Sequence, residues 1–144
     1  MQHRLQTKEK LHNIGVCEDE LCLICGDHAE THEHQFFNCH FSKECVSRIK
    51  AWCGVQHQSL SFFQIIDWIA RRRRGSKIRR FVQAAAMEAI AYYIWRVGNE
   101  AYWVHKVQSI NYTVKHIQNI VKARSLCCLP KKVSSRDKEW IESL

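Results

Sequence analysis

At 144 residues with 46% apolar positions, the chain is long enough for one domain, or for a small domain with a helical extension. Five Gly and one Pro exclude a low-complexity or all-loop chain. The 22 Lys and Arg outweigh 14 Asp and Glu, and a formal charge of +8 favours a polyanionic partner, nucleic acid first.

The N-terminus, Met1-Gln2-His3-Arg4, is polar and has no apolar signal region. The eight Cys are therefore expected in a reducing, intracellular setting, nucleus or cytoplasm, and not in a secreted disulfide scaffold. Thr7 can cap a short helix through Leu11 and Ile14, which Gly15 stops. Residues 17–27 form one arm of a compact unit, a short hairpin or turn. Residues 31–40 form the second arm, a helical turn carrying His34, Phe36, Phe37 and Cys39. Ser42 can cap a helix with Val46, Ile49 and Cys53 on one face. Ser59 or Ser61 starts another, with Phe62, Ile65, Ile66 and Ile69 inward. Ser76 caps the longest, where Ile78, Phe81, Val82, Ala85, Ala89, Ile90, Tyr93, Ile94 and Val97 follow the helical period. Residues 111–125 give a further helix on Val114, Ile117 and Val121. Pro130 blocks its continuation, and Ser134 or Ser135 caps a last one with Trp140 and Ile141. No apolar run is long enough to span a membrane: residues 81–95 are interrupted by Gln83 and Glu88.

The spacing that carries chemistry is Cys22-x2-Cys25-x8-His34-x4-Cys39, three thiolates and one imidazole within eighteen residues. This is the donor set of a closed, tetrahedral structural zinc site, with no open position for water. Gly26 allows the tight turn that lets both first cysteines face one ion. Four histidines lie close by. His34 suits the second arm, because a His and a Cys separated by four residues can meet one ion from a slightly distorted helical turn. His32 leaves six residues to Cys39, His40 adjoins it and points elsewhere, and His28 lies in the loop after Cys25. These three are expected as exposed polar residues or as hydrogen-bonding partners around the site. Phe36 and Phe37 are expected to be buried as a small core, not presented for base stacking. Such a unit loses structure without metal, since binding and folding are coupled.

The stretch Leu5-x-Thr7-Lys8-Glu9-Lys10-Leu11-x3-Gly15-Val16, then Cys22-x2-Cys25-Gly26, then Glu30-Thr31-His32-Glu33-His34-x-Phe36-Phe37-x-Cys39-x-Phe41-Ser42, resembles the reverse transcriptase zinc-binding domain of LINE-type, non-LTR retroelements, a family abundant in plants. The resemblance runs from Leu5 to about Trp52. Further on, Ile94-Trp95-Arg96-x2-Asn99-Glu100-Ala101 is similar to the helix that follows this domain, where Ile-Trp-x-x-Arg-Asn is common; here Val97-Gly98 separate Arg96 from Asn99. The chain also departs from the family at His40, where Pro is frequent, and at Gln35, where Leu is frequent. Neither change removes a ligand. The resemblance implies one structural zinc on Cys22, Cys25, His34 and Cys39. It also implies a nucleic-acid-handling accessory of an upstream reverse transcriptase.

A second feature is the segment 71–80, in which Arg71, Arg72, Arg73, Arg74, Lys77, Arg79 and Arg80 make seven of ten residues basic. Phosphate contact is the functional expectation, with affinity falling as salt rises; nuclear targeting overlaps with it. Residues 71–74 also suit the C-terminus of a helix. Lys77, Arg79 and Arg80, at the start of the next helix, oppose its dipole, and this local mismatch favours function. A weaker basic patch is Lys122, Arg124, Lys131 and Lys132. Cys17, Cys45, Cys53, Cys127 and Cys128 are expected as small apolar residues or free thiols. Tyr92, Tyr93, Trp95, Tyr102 and Trp103 are expected to pack in the core.

Catalysis is not expected. The four Asp (Asp19, Asp27, Asp67, Asp137) form no pair suited to two divalent metals, and no Tyr-x-Asp-Asp motif occurs. Glu88 is expected to be solvated or Arg-paired. The expected architecture is mainly α: a CCHC zinc knuckle in a segment 1–55, then a helical extension 56–144, with four to five helices in the bundle. The expected function is zinc-dependent binding of RNA or DNA through backbone contacts, without sequence specificity and without a membrane. The alternatives are a zinc-stabilised protein-interaction module and a truncated retroelement remnant.

Overall fold

The computed structural model describes residues 8–16, 18–59, 61–72 and 75–144. Thr7, Cys17, Arg73 and Arg74 lie outside the described residues. The chain is mainly helical: α1 (Lys8–Asn13), a π-turn (His34–Asn38), α2 (His40–Trp52), α3 (Phe62–Arg71), α4 (Lys77–Val104), α5 (Ile110–Cys127) and α6 (Ser135–Ser143). Among the described residues five helices thus follow the first arm and the π-turn, within the expected four to five.

α4 organises the rest. α2, α3, α5 and the π-turn all pack against it, and α6 packs on α5. One continuous core runs from Cys22 and Cys39 through Val46, Ile49, Ile65, Ile90, Ile94 and Ile117 to Ile141. The small unit therefore shares its core with the bundle. Phe36 and Phe37 are half-buried against that core, and Phe37 lies 5.8 Å from Phe62. Trp52 Nε1 donates to the carbonyl of Leu144 at 2.9 Å, tying the end of α2 to the C-terminus.

Several termini follow directly from local chemistry. Gly15, at φ 74°, ends α1 in a Schellman motif: the Val16 N–H bonds Leu11 O at 2.8 Å and the Gly15 N–H bonds His12 O at 2.9 Å. Ser76 Oγ accepts from the N–H groups of Ile78 and Arg79, and Ser134 Oγ accepts from Asp137 N–H. Ser61, not Ser59, sits at the N-cap of α3. Replacing Ser76 by Ala orphans two N–H groups of the longest helix. It is expected to cost about 1 kcal/mol, read as a lowered thermal midpoint.

Other expectations are corrected. Ser42 does not cap α2. The helix starts at His40 with Cys39 at its N-cap, and the buried Ser42 hydroxyl donates back to the Gln35 carbonyl, joining α2 to the π-turn. Ile66 and Phe81 do not point inward; Phe81 is 58% exposed. α4 is apolar around most of its circumference, so its period does not select a face. Packing selects Val82, Ala86, Ile90, Ile94, Val97 and Ala101. The periodic run read up to Val97 continues to Val104, and the helix stops at His105 in the left-handed region, φ 54°. Tyr92 and Trp103 are surface residues, the latter 75% exposed, while Tyr93, Trp95 and Tyr102 are half-buried. No described helix is long and apolar enough to cross a membrane.

Candidate metal centre

The first arm is a narrow hairpin held by a single antiparallel bridge, Leu21 to Ala29. Cys22 N–H donates to His28 O at 2.8 Å and Glu30 N–H to Glu20 O at 2.7 Å. At the tip, Gly26 N–H returns to Cys22 O at 2.7 Å with φ 74°, a conformation that costs glycine little. This turn points Cys22 and Cys25 to the same side.

The second arm begins at Thr31, whose Oγ1 accepts from His34 N–H at 2.9 Å. The backbone then widens into the π-turn, closed by Cys39 N–H on His34 O at 2.7 Å. The wide turn decides the geometry. Ordinary α winding would leave residues five apart roughly 140° from one another around the axis. An i to i+5 hydrogen bond instead stacks Cys39 over His34, so both side chains reach one point.

The result is that one ligand atom from each of Cys22, Cys25, His34 and Cys39 lies within 4.8 Å of all the others. His34 Nε2 stands 3.2 Å from Cys25 Sγ. Tetrahedral zinc, with Zn–S about 2.3 Å and Zn–N about 2.0 Å, needs its donors roughly 3.5–3.8 Å apart, which this cluster can reach with small side-chain shifts. Cys22, His34 and Cys39 are buried and Cys25 is half-buried. His28 is exposed and stacks on His34 with ring centroids 5.3 Å apart, as a neighbour and not a member of the cluster.

The hydrogen bond to Cys39, then burial, pushes the Cys22 thiol well above its ordinary range. The same hydrogen bond holds Cys39 below it. Burial first, then the charges of His28 and Lys43, lowers His34, which keeps the imidazole in the neutral form that ligates metal. The other buried thiols lie apart: burial raises both Cys45 and Cys53 to about 12, so they behave as small apolar residues. Cys127 and Cys128 are exposed free thiols.

Around the cluster stand residues that the sequence did not single out for this role. Glu30 is buried and accepts from Lys8 N–H at 3.3 Å and Leu23 N–H at 3.4 Å, joining α1 to the first arm. Burial raises its pKa against those hydrogen bonds. Gln35 is buried against Gly98 of α4. Thr31, three residues before His34, was the one legible signal, since Ser or Thr at that offset caps a helical turn.

The basic segment divides. Arg71 ends α3, bonds Asp67 at 2.8 Å and keeps its side chain 81% exposed. Lys77 is exposed. Arg72 and Arg80 converge, with Arg80 Nη1 donating to Arg72 O at 2.6 Å. The charge mismatch at the start of α4 is offset from a distance: Asp137 of α6 accepts from Ser76 Oγ at 2.8 Å and from Arg79 Nε at 3.4 Å. Glu88 is exposed.

This hairpin, π-turn and Cys3His cluster on a helical bundle define a zinc-binding module. Residues 1–45 match the family model described as zinc-binding in reverse transcriptase. No curated protein and no solved structure matches the chain.

Proposed function

We propose that this chain is a non-catalytic accessory that binds RNA or DNA by its phosphate backbone, and that one structural zinc on Cys22, Cys25, His34 and Cys39 holds its N-terminal segment. The observation that carries the reading is the Cys3His cluster inside a segment that matches a reverse transcriptase family. Four protein donors complete a tetrahedron, so the ion's work would be to fix the hairpin and the π-turn against α4. The surplus of cations, with Arg71 and Lys77 exposed at the α3–α4 junction, supplies phosphate contacts that need no base reading.

Fluorescence anisotropy with single-stranded RNA and duplex DNA across a salt series tests this. Log K is expected to fall linearly with log salt, by about 0.7 to 0.9 per phosphate contacted. Arg71→Gln with Lys77→Gln should weaken binding and flatten the slope. Binding that ignores salt, or no binding at any salt, would reject the nucleic-acid reading.

A second reading has its own observation. Val16 and Trp103, both exposed, line one cleft with Leu11, Trp95 and Tyr102. An apolar cleft of this kind suits a protein partner, such as an upstream polymerase domain. A stable stoichiometric complex that Trp103→Ser abolishes, with no nucleic-acid affinity, would favour this reading over the first.

A further inference from the structure

The junction of α3, α4 and α6 encloses a recess of about 140 Å³, lined by Arg72, Ser76, Arg79, Arg80, Gln83 and Trp140, among others. Its arginines are held from behind. Arg72 lies over the Trp68 ring at 5.1 Å and Arg79 over the Trp140 ring at 4.9 Å, with Arg79 also paired to Asp137. Cation–π stacking of this kind fixes a guanidinium plane while leaving N–H edges for a ligand. Ser76 is already spent on its cap and on Asp137, so the guanidinia are the donors that remain.

Two of the residues that line the recess each carry a buried polar atom with no hydrogen-bond partner among the described residues: Arg80 Nε, a donor, and Gln83 Oε1, an acceptor. Gln83 is only 4% exposed. Its amide cannot be flipped to hide the oxygen, because Nε2 donates to the carbonyls of Cys53 at 3.0 Å and Gly54 at 3.5 Å. A buried orphan of each kind among the residues lining one cationic recess calls for a ligand that offers anionic acceptors and one donor.

We infer that the recess binds a terminal phosphate of a nucleic-acid strand, a deepening that rests on the nucleic-acid reading above. A phosphate monoester carries three oxygens for guanidinium contact. With its second pKa near 6, it also holds an O–H for part of the time at neutral pH. Arg72 and Arg80 take the charged oxygens and Gln83 Oε1 takes the proton donor. An internal phosphodiester has no such O–H and leaves the glutamine oxygen unpaired. α6 completes the site through Trp140 and, behind Arg79, Asp137.

The test compares one 12-nucleotide single-stranded RNA with a 5′-phosphate or a 5′-hydroxyl, by anisotropy on the intact, zinc-loaded chain. The 5′-phosphate is expected to tighten binding at least fivefold. Millimolar inorganic phosphate should erase that gain, as should Arg80→Met with zinc content and helicity unchanged. Lys115→Gln, which removes an exposed charge elsewhere, should keep it. If Arg80→Met does not fold, Arg72→Met on an exposed side chain repeats the test. Equal affinity for both RNAs, indifferent to Arg80, overturns the terminal-phosphate site and leaves backbone binding standing. If neither RNA binds, the nucleic-acid reading fails. Inorganic phosphate alone, followed by tryptophan emission, then decides: saturation that depends on Arg80 supports the recess, and no change overturns it.

Discussion

Cys39→Ser is expected to abolish stoichiometric zinc binding and to unfold the N-terminal segment. Cys39 is fully buried, its backbone N–H closes the π-turn, and it stands at the N-cap of α2, so the lost thiolate lies where turn and helix meet. Structural zinc contributes an apparent 10–16 kcal/mol or so to such units at neutral pH, and a hydroxyl is a poor substitute for a thiolate. Besides the ligands, the hairpin is held by one bridge, a few backbone hydrogen bonds and the Glu30 and Asp19 contacts to α1 and its own backbone. Zinc per chain should fall from one to none, with loss of dispersed amide signals over residues 18–42. The helices α4 and α5, packed on each other, should persist. His34→Ala should lose zinc as well, although the turn's N–H bond to Thr31 survives. Acid should do the same reversibly. Each ligand must be deprotonated, so protons compete for the site as pH falls. The lowered pKa of His34 keeps its neutral, ligating form to lower pH than an ordinary histidine would, and its share of stability is lost as pH falls from the ordinary histidine range through that lowered value. A zinc-sensitive dye followed through an acid titration reads this, with release on the falling limb and recovery on return.

Gly98→Val is expected to destabilise the chain by about 1–3 kcal/mol and to weaken zinc retention, although Gly98 touches no ligand. Gly98 lies inside α4, where glycine by itself costs about 1 kcal/mol against alanine. It is tolerated because a Cβ there would sit 2.1 Å from Gln35 Nε2 and 3.3 Å from Gln35 Cδ. The missing side chain leaves room for the buried Gln35 amide. Valine fills that space with two branches on a stiff χ1 and drives the buried amide out, moving the turn that aligns His34 with Cys39. The partner substitution separates packing from helix propensity. Gln35→Ala in the Gly98→Val background should recover most of the loss, because the clash with the Gln35 amide is gone. Chemical denaturation of the two single variants and the double variant gives the coupling directly.

What could be read from residue order was whatever is local. The four candidate ligands lie within eighteen residues, and their spacing alone places them in two arms. The caps Ser76 and Ser134 act on N–H groups two or three residues away, and Gly15 stops α1 within its own turn. The π-turn was only half legible: four residues between His34 and Cys39 suit a widened turn, but its Gln35 side chain packs against Gly98, sixty-three positions along. The exposed face of α4 was not legible, because Phe81 and Tyr92 are as apolar as the residues that pack. Nor was the counter-charge at the α4 start. Arg79 meets Asp137 across 58 residues, and nothing near either position announces the pair. The recess of Arg72, Arg80, Gln83 and Trp140 exists for the same reason, as a product of three helices and not of any motif.

The most direct measurement is X-ray absorption at the zinc edge on the purified, zinc-reconstituted chain. The account predicts one tightly held zinc per chain with three sulfurs at about 2.3 Å and one imidazole nitrogen at about 2.0 Å, the nitrogen shell disappearing in His34→Ala. No tightly held zinc, or a first shell rich in oxygen, would contradict it.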